Sequence, residues 1–168
     1  KLNENYGGDS YGNKRDSKVT CAKHHFSWMM NEVFQLKELT SIGGFLFLEE
    51  DYIVAPTVYE NIKKGFAYID SKGRREEFFG VTLDPTDGYA FKVPKEGSEW
   101  IERKFVTGPM AIRRDIFAKI SSHARDFCKF DDYNWDWSIV NLMSKGYVPF
   151  KVLCPKAVQA AHIGLEGG

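Results

Sequence analysis

No apolar stretch of this 168-residue chain approaches the ~20 residues that a membrane-crossing helix requires, and no signal-peptide pattern opens it. An initiating Met is also missing, and the chain ends Gly164-Leu165-Glu166-Gly167-Gly168. The expectation is an internal piece of a longer protein, with any targeting or anchoring segment outside it. Net charge is lacking, because 23 Lys and Arg balance 23 Asp and Glu. Bulk electrostatics therefore favour neither nucleic acid nor an anionic membrane, and a substrate has to be recognised locally. Cysteine is scarce: Cys21, Cys128 and Cys154 are odd in number and lie at no metal-ligand spacing. That excludes a zinc ribbon, leaves at least one thiol without a partner in this chain and leaves the compartment open. A nucleophile elbow, a phosphate loop, a zincin motif and a dinucleotide fingerprint are all absent from the sequence, so serine-hydrolase, kinase and Rossmann-oxidoreductase readings lose support.

What is present suits a folded core. With 43% hydrophobic and 15% aromatic residues, one globular domain is expected, and the strand, acidic loop and helix pattern within it reads as α/β. Residues 1–18, rich in Asn, Gly, Asp, Lys and Ser, read as a flexible start, and 19–168 as part of a single domain. From about His24, the spacing of Phe26, Met29, Met30, Val33 and Phe34 predicts an amphipathic helix that packs on a sheet. Residues 43–48 form a buried strand, and Pro56 opens a short helix with Val58, Tyr59, Ile62 and Phe66 inward, fading at Gly65. Residues 67–77 read as turn-like around Ser71-Lys72-Gly73. A hairpin is expected from strands at 78–83 and 89–93 joined by the turn 84–88. Asp115 is placed to cap a helix bearing Ile116, Phe117 and Ile120. A further helix opens at 131–134, turns Trp135, Ile139, Leu142 and Met143 inward and stops at Gly146. Residues 148–154 then make a strand ended by Pro155, with His162 in the loop beyond.

Two segments and one histidine carry the chemistry. Glu49-Glu50-Asp51 follows the apolar strand directly. Carboxylates at a strand's carboxyl end sit where open α/β sheets bind ligands, and hard cations take carboxylate oxygens, so the stretch reads as a metal-nucleotide site. By themselves, three acids there are more often a solvated terminus that favours the next helix through its dipole. The second segment, Asp131-Asp132-Tyr133-Asn134-Trp135-Asp136-Trp137, mixes carboxylates, an amide and flat rings, which suits hydroxyl groups and sugar faces. A capping Asp and core-filling tryptophans would explain part of it, but not Asp136 in the first helical turn. The EF-hand's central Gly and closing acid are missing. His162, in Ala161-His162-Ile163-Gly164, is by itself an ordinary loop residue, and His24, His25 and His123 have no carboxylate at metal spacing.

Taken together, Lys23-His24-His25 before a Trp- and Met-bearing helix, Phe47-Leu48-Glu49-Glu50-Asp51 running into Ala55-Pro56, the heptapeptide at 131–137, Lys151-Val152-Leu153, Pro155 and His162-Ile163-Gly164 resemble the N-acetylglucosaminyltransferase II family. The likeness runs from about residue 20 onward, and the heptapeptide carries most of its specificity. It implies a GT-A glycosyltransferase fold, a mixed sheet between helices, here lacking the N-terminal nucleotide-binding half. It further implies an inverting β-1,2-N-acetylglucosaminyltransferase that moves GlcNAc from UDP-GlcNAc to O2 of the α-1,6-arm mannose of a glycoprotein's N-glycan core, with Mn²⁺ as cofactor. The parent would be a Golgi type II membrane protein with its catalytic part in the lumen.

Carried over residue by residue, Asp51 and His162 would hold Mn²⁺, and Glu49 and Glu50 would join Asp51 near the donor. Asp136 would be the catalytic base, and Tyr133, Asn134 and Trp135 would line the acceptor pocket. Thr107-Gly108-Pro109 stands where vertebrate members of the family have Asn-Met-Gly, which makes Thr107 an acceptor-side candidate. In the family the cysteine before the heptapeptide pairs beyond this chain's end, which would leave Cys128 unpaired here. Mn²⁺ accepts both carboxylate and imidazole, and a carboxylate base suits a single displacement with inversion. Two other readings stay open: a GT-A GlcNAc transferase with a different acceptor, and a non-catalytic glycan-binding pseudoenzyme. A glycan hydrolase would need a general acid and a second carboxylate aimed at one bond.

Overall fold

The computed structural model describes residues 16–36, 43–83, 99–105, 107–130 and 135–163. These divide into two compact units, one formed by Lys1–Gly43 with Arg114–Val148 and the other by Gly44–Arg113 with Pro149–Gly168. No described helix is long and apolar enough to cross a membrane.

The first unit is helical. Helix α1 spans Ser17–Gln35, beginning seven residues before the expected start at His24. The cause is a cap: Asp16 Oδ1 accepts from the Lys18 backbone N–H at 2.6 Å, so the polar stretch read as a flexible start already carries helix at Ser17 and Lys18. Phe26, Met30 and Phe34 are buried as the periodicity requires, with Met29 and Val33 half-buried. Within the unit, α1 packs on α3 (Arg114–Ser122) and α5 (Trp135–Ser144), and α4 (Ala124–Lys129) bridges those two. Phe34 stacks on Phe117 at 4.4 Å between ring centres. Asp115 lies inside the first turn of α3 and not ahead of it, because the helix follows a strand without a break. Ile139, Leu142 and Met143 of α5 are buried, and Gly146 turns the chain with φ +74°.

The second unit is built on a mixed five-stranded sheet, in the order β1 (Gly44–Phe47), β5 (Met110–Arg113), β3 (Phe78–Thr82), β6 (Lys151–Pro155), β4 (Trp100–Lys104). β3 and β6 are parallel, and β5 is antiparallel to both β1 and β3. Strands β1, β3 and β6 therefore point the same way, and their carboxyl ends share one edge with the segment entering β5. A separate ribbon pairs β2 (Tyr52–Val54) antiparallel with β7 (Ala160–His162). Helix α2 (Val58–Ser71) lies on β3 and β6, with Ile69, Phe78, Val81, Ala111 and Leu153 at the centre of the core.

Several expectations are corrected here. β1 is an edge strand, mostly half-buried where a fully buried one was expected, since it pairs with β5 alone and ends at Phe47 with Leu48 exposed. α2 does not fade at Gly65: that glycine is buried, letting the helix close on Val81 and Trp100, and Ile69 extends the apolar face. Pro56 precedes the helix and Thr57 takes the N-cap position. Arg75–Glu77 is a 3₁₀ turn after Gly73, whose φ is +63°. β4 was not anticipated, because Glu102, Arg103 and Lys104 masked an edge strand paired to β6. The return strand at 89–93 and the turn at 84–88 lie outside the described residues, while 78–82 is a strand as expected. His162 sits on β7, where a loop was expected.

Candidate functional site

The apolar strand delivers its acids to a turn. Beyond Phe47 the chain leaves β1 through exposed Leu48, Glu49 and Glu50, turns at Glu50 and Asp51, and enters β2. The register of the ribbon then sets Tyr52 opposite His162, Ile53 opposite Ala161 and Val54 opposite Ala160. At its open end the Ile163 N–H donates to the Asp51 carbonyl at 2.7 Å, so Asp51 and His162 are held side by side.

Their side chains meet: His162 Nε2 lies 2.8 Å from Asp51 Oδ2, a contact between residues 111 apart in sequence. The other carboxylate oxygen, Asp51 Oδ1, is buried without a hydrogen-bond partner. An unsatisfied carboxylate oxygen away from water costs free energy, roughly 1–3 kcal/mol or more for a charged group, and is an opening for a cation. Carboxylate oxygen with imidazole nitrogen is a donor set that divalent manganese accepts. Among the described residues no group of three or more His, Cys, Asp and Glu side chains gathers as a cage. The side chains of both residues remain partly exposed.

The ring of Tyr52 meets His162 edge-on at 5.1 Å, fixing one side of the imidazole. Tyr52 also faces the 107–109 loop: Gly108 adopts φ +141°, and a Cβ there would lie 3.6 Å from the Tyr52 hydroxyl. Thr107 is exposed on that loop. Tyr52 is a site residue that sequence reasoning passed over, although its place directly after the acids is the signal that could have found it.

The remaining described candidates belong to the helical unit. Asp136 is in the first turn of α5, half-buried, and its Oδ1 accepts from the Trp137 N–H at 2.8 Å. It belongs to the helical unit, whereas Asp51 and His162 belong to the sheet unit. Trp135 stacks on Phe26 with ring centres 4.2 Å apart, so one of its faces serves packing, while Trp137 is exposed. Asp131, Asp132, Tyr133 and Asn134 lie outside the described residues. Cys21 and Cys128 are exposed thiols, and Cys154 is buried with its Sγ donating to the Pro155 carbonyl at 3.5 Å.

Comparison with known proteins bears on this arrangement. A model of the family described as N-acetylglucosaminyltransferase II (MGAT2) matches residues 2–168. The chain belongs to the N-acetylglucosaminyltransferase II family. Among curated relatives of the family, the alpha-1,6-mannosyl-glycoprotein 2-beta-N-acetylglucosaminyltransferase of Arabidopsis thaliana is 38% identical over 166 residues, covering 95% of this chain and 37% of that protein. The proteins of the same description from Rattus norvegicus and Homo sapiens are 32% and 30% identical, each covering 93% of this chain and 36% of their own length. The chain thus spans a little over a third of the N-acetylglucosaminyltransferase II relatives it matches.

Proposed function

We propose that this chain is the central catalytic portion of a GT-A glycosyltransferase that moves GlcNAc from UDP-GlcNAc to O2 of the α-1,6-arm mannose of an N-glycan core, with inversion and with Mn²⁺ as cofactor. The observation that carries the reading is the Asp51–His162 pair, with its unsatisfied carboxylate oxygen, at the carboxyl edge of the sheet of a family member whose relatives are named alpha-1,6-mannosyl-glycoprotein 2-beta-N-acetylglucosaminyltransferases. When bound, the cation would supply positive charge to the donor diphosphate as UDP leaves. Asp51 and His162 hold that position, and exposed Glu49 and Glu50 flank the donor on the same turn. Asp136 accepts the proton of the mannose hydroxyl as its oxygen attacks the anomeric carbon from the face opposite the diphosphate. One bond forms as one breaks, so no covalent enzyme nucleophile is needed. Thr107, Tyr133, Asn134 and Trp135 contribute to the acceptor side. The parent is a type II Golgi protein with this portion in the lumen.

The test is a transfer assay on the full-length protein with UDP-GlcNAc and a mannose-terminated N-glycan, with and without Mn²⁺, beside Asp136→Asn. The expected result is Mn²⁺-dependent β-1,2 product, and a loss of roughly 10²–10⁴-fold in the variant, the usual worth of a general base. Turnover within a few-fold of the native protein would remove Asp136 from that role. Release of free GlcNAc in place of a glycan product, or glycan binding without transfer, would overturn the enzyme assignment itself.

A further inference from the structure

Gln159 is a buried amide with a use for every part of it. Its side chain is 5% exposed. Oε1 accepts from Thr57 Oγ1 at 3.1 Å and from Asn61 Nδ2 at 2.6 Å, both at the amino-terminal end of α2. Nε2 donates to the carbonyls of Ala157 and Val158, each at 3.3 Å, and so folds the 156–159 loop upon itself. Its backbone is engaged too: the N–H donates to the Leu83 carbonyl at 3.1 Å, and the carbonyl accepts from Ala55 N–H at 2.8 Å. One residue thus joins the exit of β3, the exit of β2, the start of α2 and the start of β7.

The reason such a junction matters lies in the ribbon. A two-stranded pair is marginally stable by itself in water. Ribbon β2–β7 has two strands of three residues each, and Ile53, Ala161 and His162 are exposed on it. Asp51 precedes one strand and His162 ends the other, so any play in the ribbon alters their 2.8 Å separation. An amide that satisfies all its own hydrogen bonds in the buried state has little freedom to move, and whatever it anchors inherits that rigidity.

We infer that Gln159 is a positioning residue, clamping ribbon β2–β7 to α2 and the sheet so that Asp51 and His162 stay preorganised for a divalent cation. This rests on the proposed reading of those two residues as metal ligands. Groups that orient ligands from behind typically change metal affinity by roughly 10–100-fold when removed.

The test is Mn²⁺ binding to the full-length protein, read by electron paramagnetic resonance of the free ion, for Gln159→Met, Asn61→Ala and Asp51→Asn. Gln159→Met keeps the volume and loses the amide; Asn61→Ala removes the same anchor from the helix side, at a half-buried position that leaves the 156–159 loop intact. Melting curves without metal establish that each variant is folded at the assay temperature. Weakening of about tenfold or more in both Gln159→Met and Asn61→Ala is expected, with Asp51→Asn losing more. If Asp51→Asn weakens binding while both anchor variants bind as the native protein does, the clamp is overturned and the metal site stands. If Asp51→Asn also binds normally, the metal-site reading itself has failed. Should Gln159→Met not fold, Asn61→Ala decides alone.

Discussion

Lys23 shows how one side chain is tied to a partner the sequence cannot announce. It has no exposed surface, and burying an ammonium is costly unless it finds acceptors. It finds the carbonyls of Cys128 and Phe130, and it lies over the ring of Phe127 at 5.5 Å. Those carbonyls close the carboxyl end of α4, where a cation also opposes the negative end of the helix dipole. Lys23→Met keeps the apolar stem and strands the acceptors. A stability loss of about 1–3 kcal/mol is expected from urea unfolding of the full-length protein. An unchanged midpoint and slope would show that water satisfies those carbonyls in the variant. In the sequence Lys23 only opens Lys23-His24-His25 and gives no sign of this role, because its acceptors lie 105 and 107 residues away.

At the scale of elements, two glycines that look alike in sequence have different consequences. Gly80 is in the middle of β3, and a Cβ there would stand 2.2 Å from the Ala111 carbonyl oxygen, part of the backbone of β5. Gly65 is inside α2, where a Cβ would meet the side chains of Val81 at 3.0 Å and Trp100 at 3.2 Å. Side chains can yield by a few tenths of an ångström and a backbone ladder cannot. Alanine also favours a helix over glycine by about 1 kcal/mol. Gly80→Ala should therefore cost at least ~1–3 kcal/mol, as overpacking does, whereas Gly65→Ala should lie near neutral. Paired thermal melts check this, and a more harmful Gly65→Ala would refute the ranking. The apolar periodicities were legible: Phe26, Met30 and Phe34 on α1, Ile139, Leu142 and Met143 on α5, and the strand at 78–82. What stayed illegible was β4, whose charged Glu102, Arg103 and Lys104 show no apolar alternation, and the early start of α1, which the cap at Asp16 supports. Edge strands and caps are satisfied by solvent and by local hydrogen bonds, so they leave little hydrophobic pattern behind.

Across the molecule, net neutrality conceals ordered charge. Arg74 donates to both Glu77 and Glu102, and Lys151 donates to Glu77. Hydrogen bonds from Arg74, then from Lys151, hold the Glu77 carboxyl down at about 2, and the same two partners lower Glu102. A carboxylate depressed in the folded state stabilises it fully above the unfolded value. Its contribution fades as pH falls from about 4.5 toward about 2. NMR titration of the Glu77 carboxyl should show its midpoint near the lower figure, and Arg74→Met should move it up toward the ordinary carboxylate range. An unmoved midpoint in the variant would mean that Arg74 is not the cause. Since these groups are partly exposed, salt will screen the pairs and their net worth to stability is small.

By itself the sequence determined the class of structure and the family. Apolar spacing dictates which faces are buried, and the acidic end of β1 together with the heptapeptide carries the resemblance that the family match supports. Only the tertiary structure decided that Asp51 meets His162, that Tyr52 backs the imidazole, and that Gln159 ties their ribbon to α2. The physical reason is range. Periodicity reports on neighbours one turn or one pleat away, whereas a contact between residues 111 apart is set by strand register, which no local pattern of residues records.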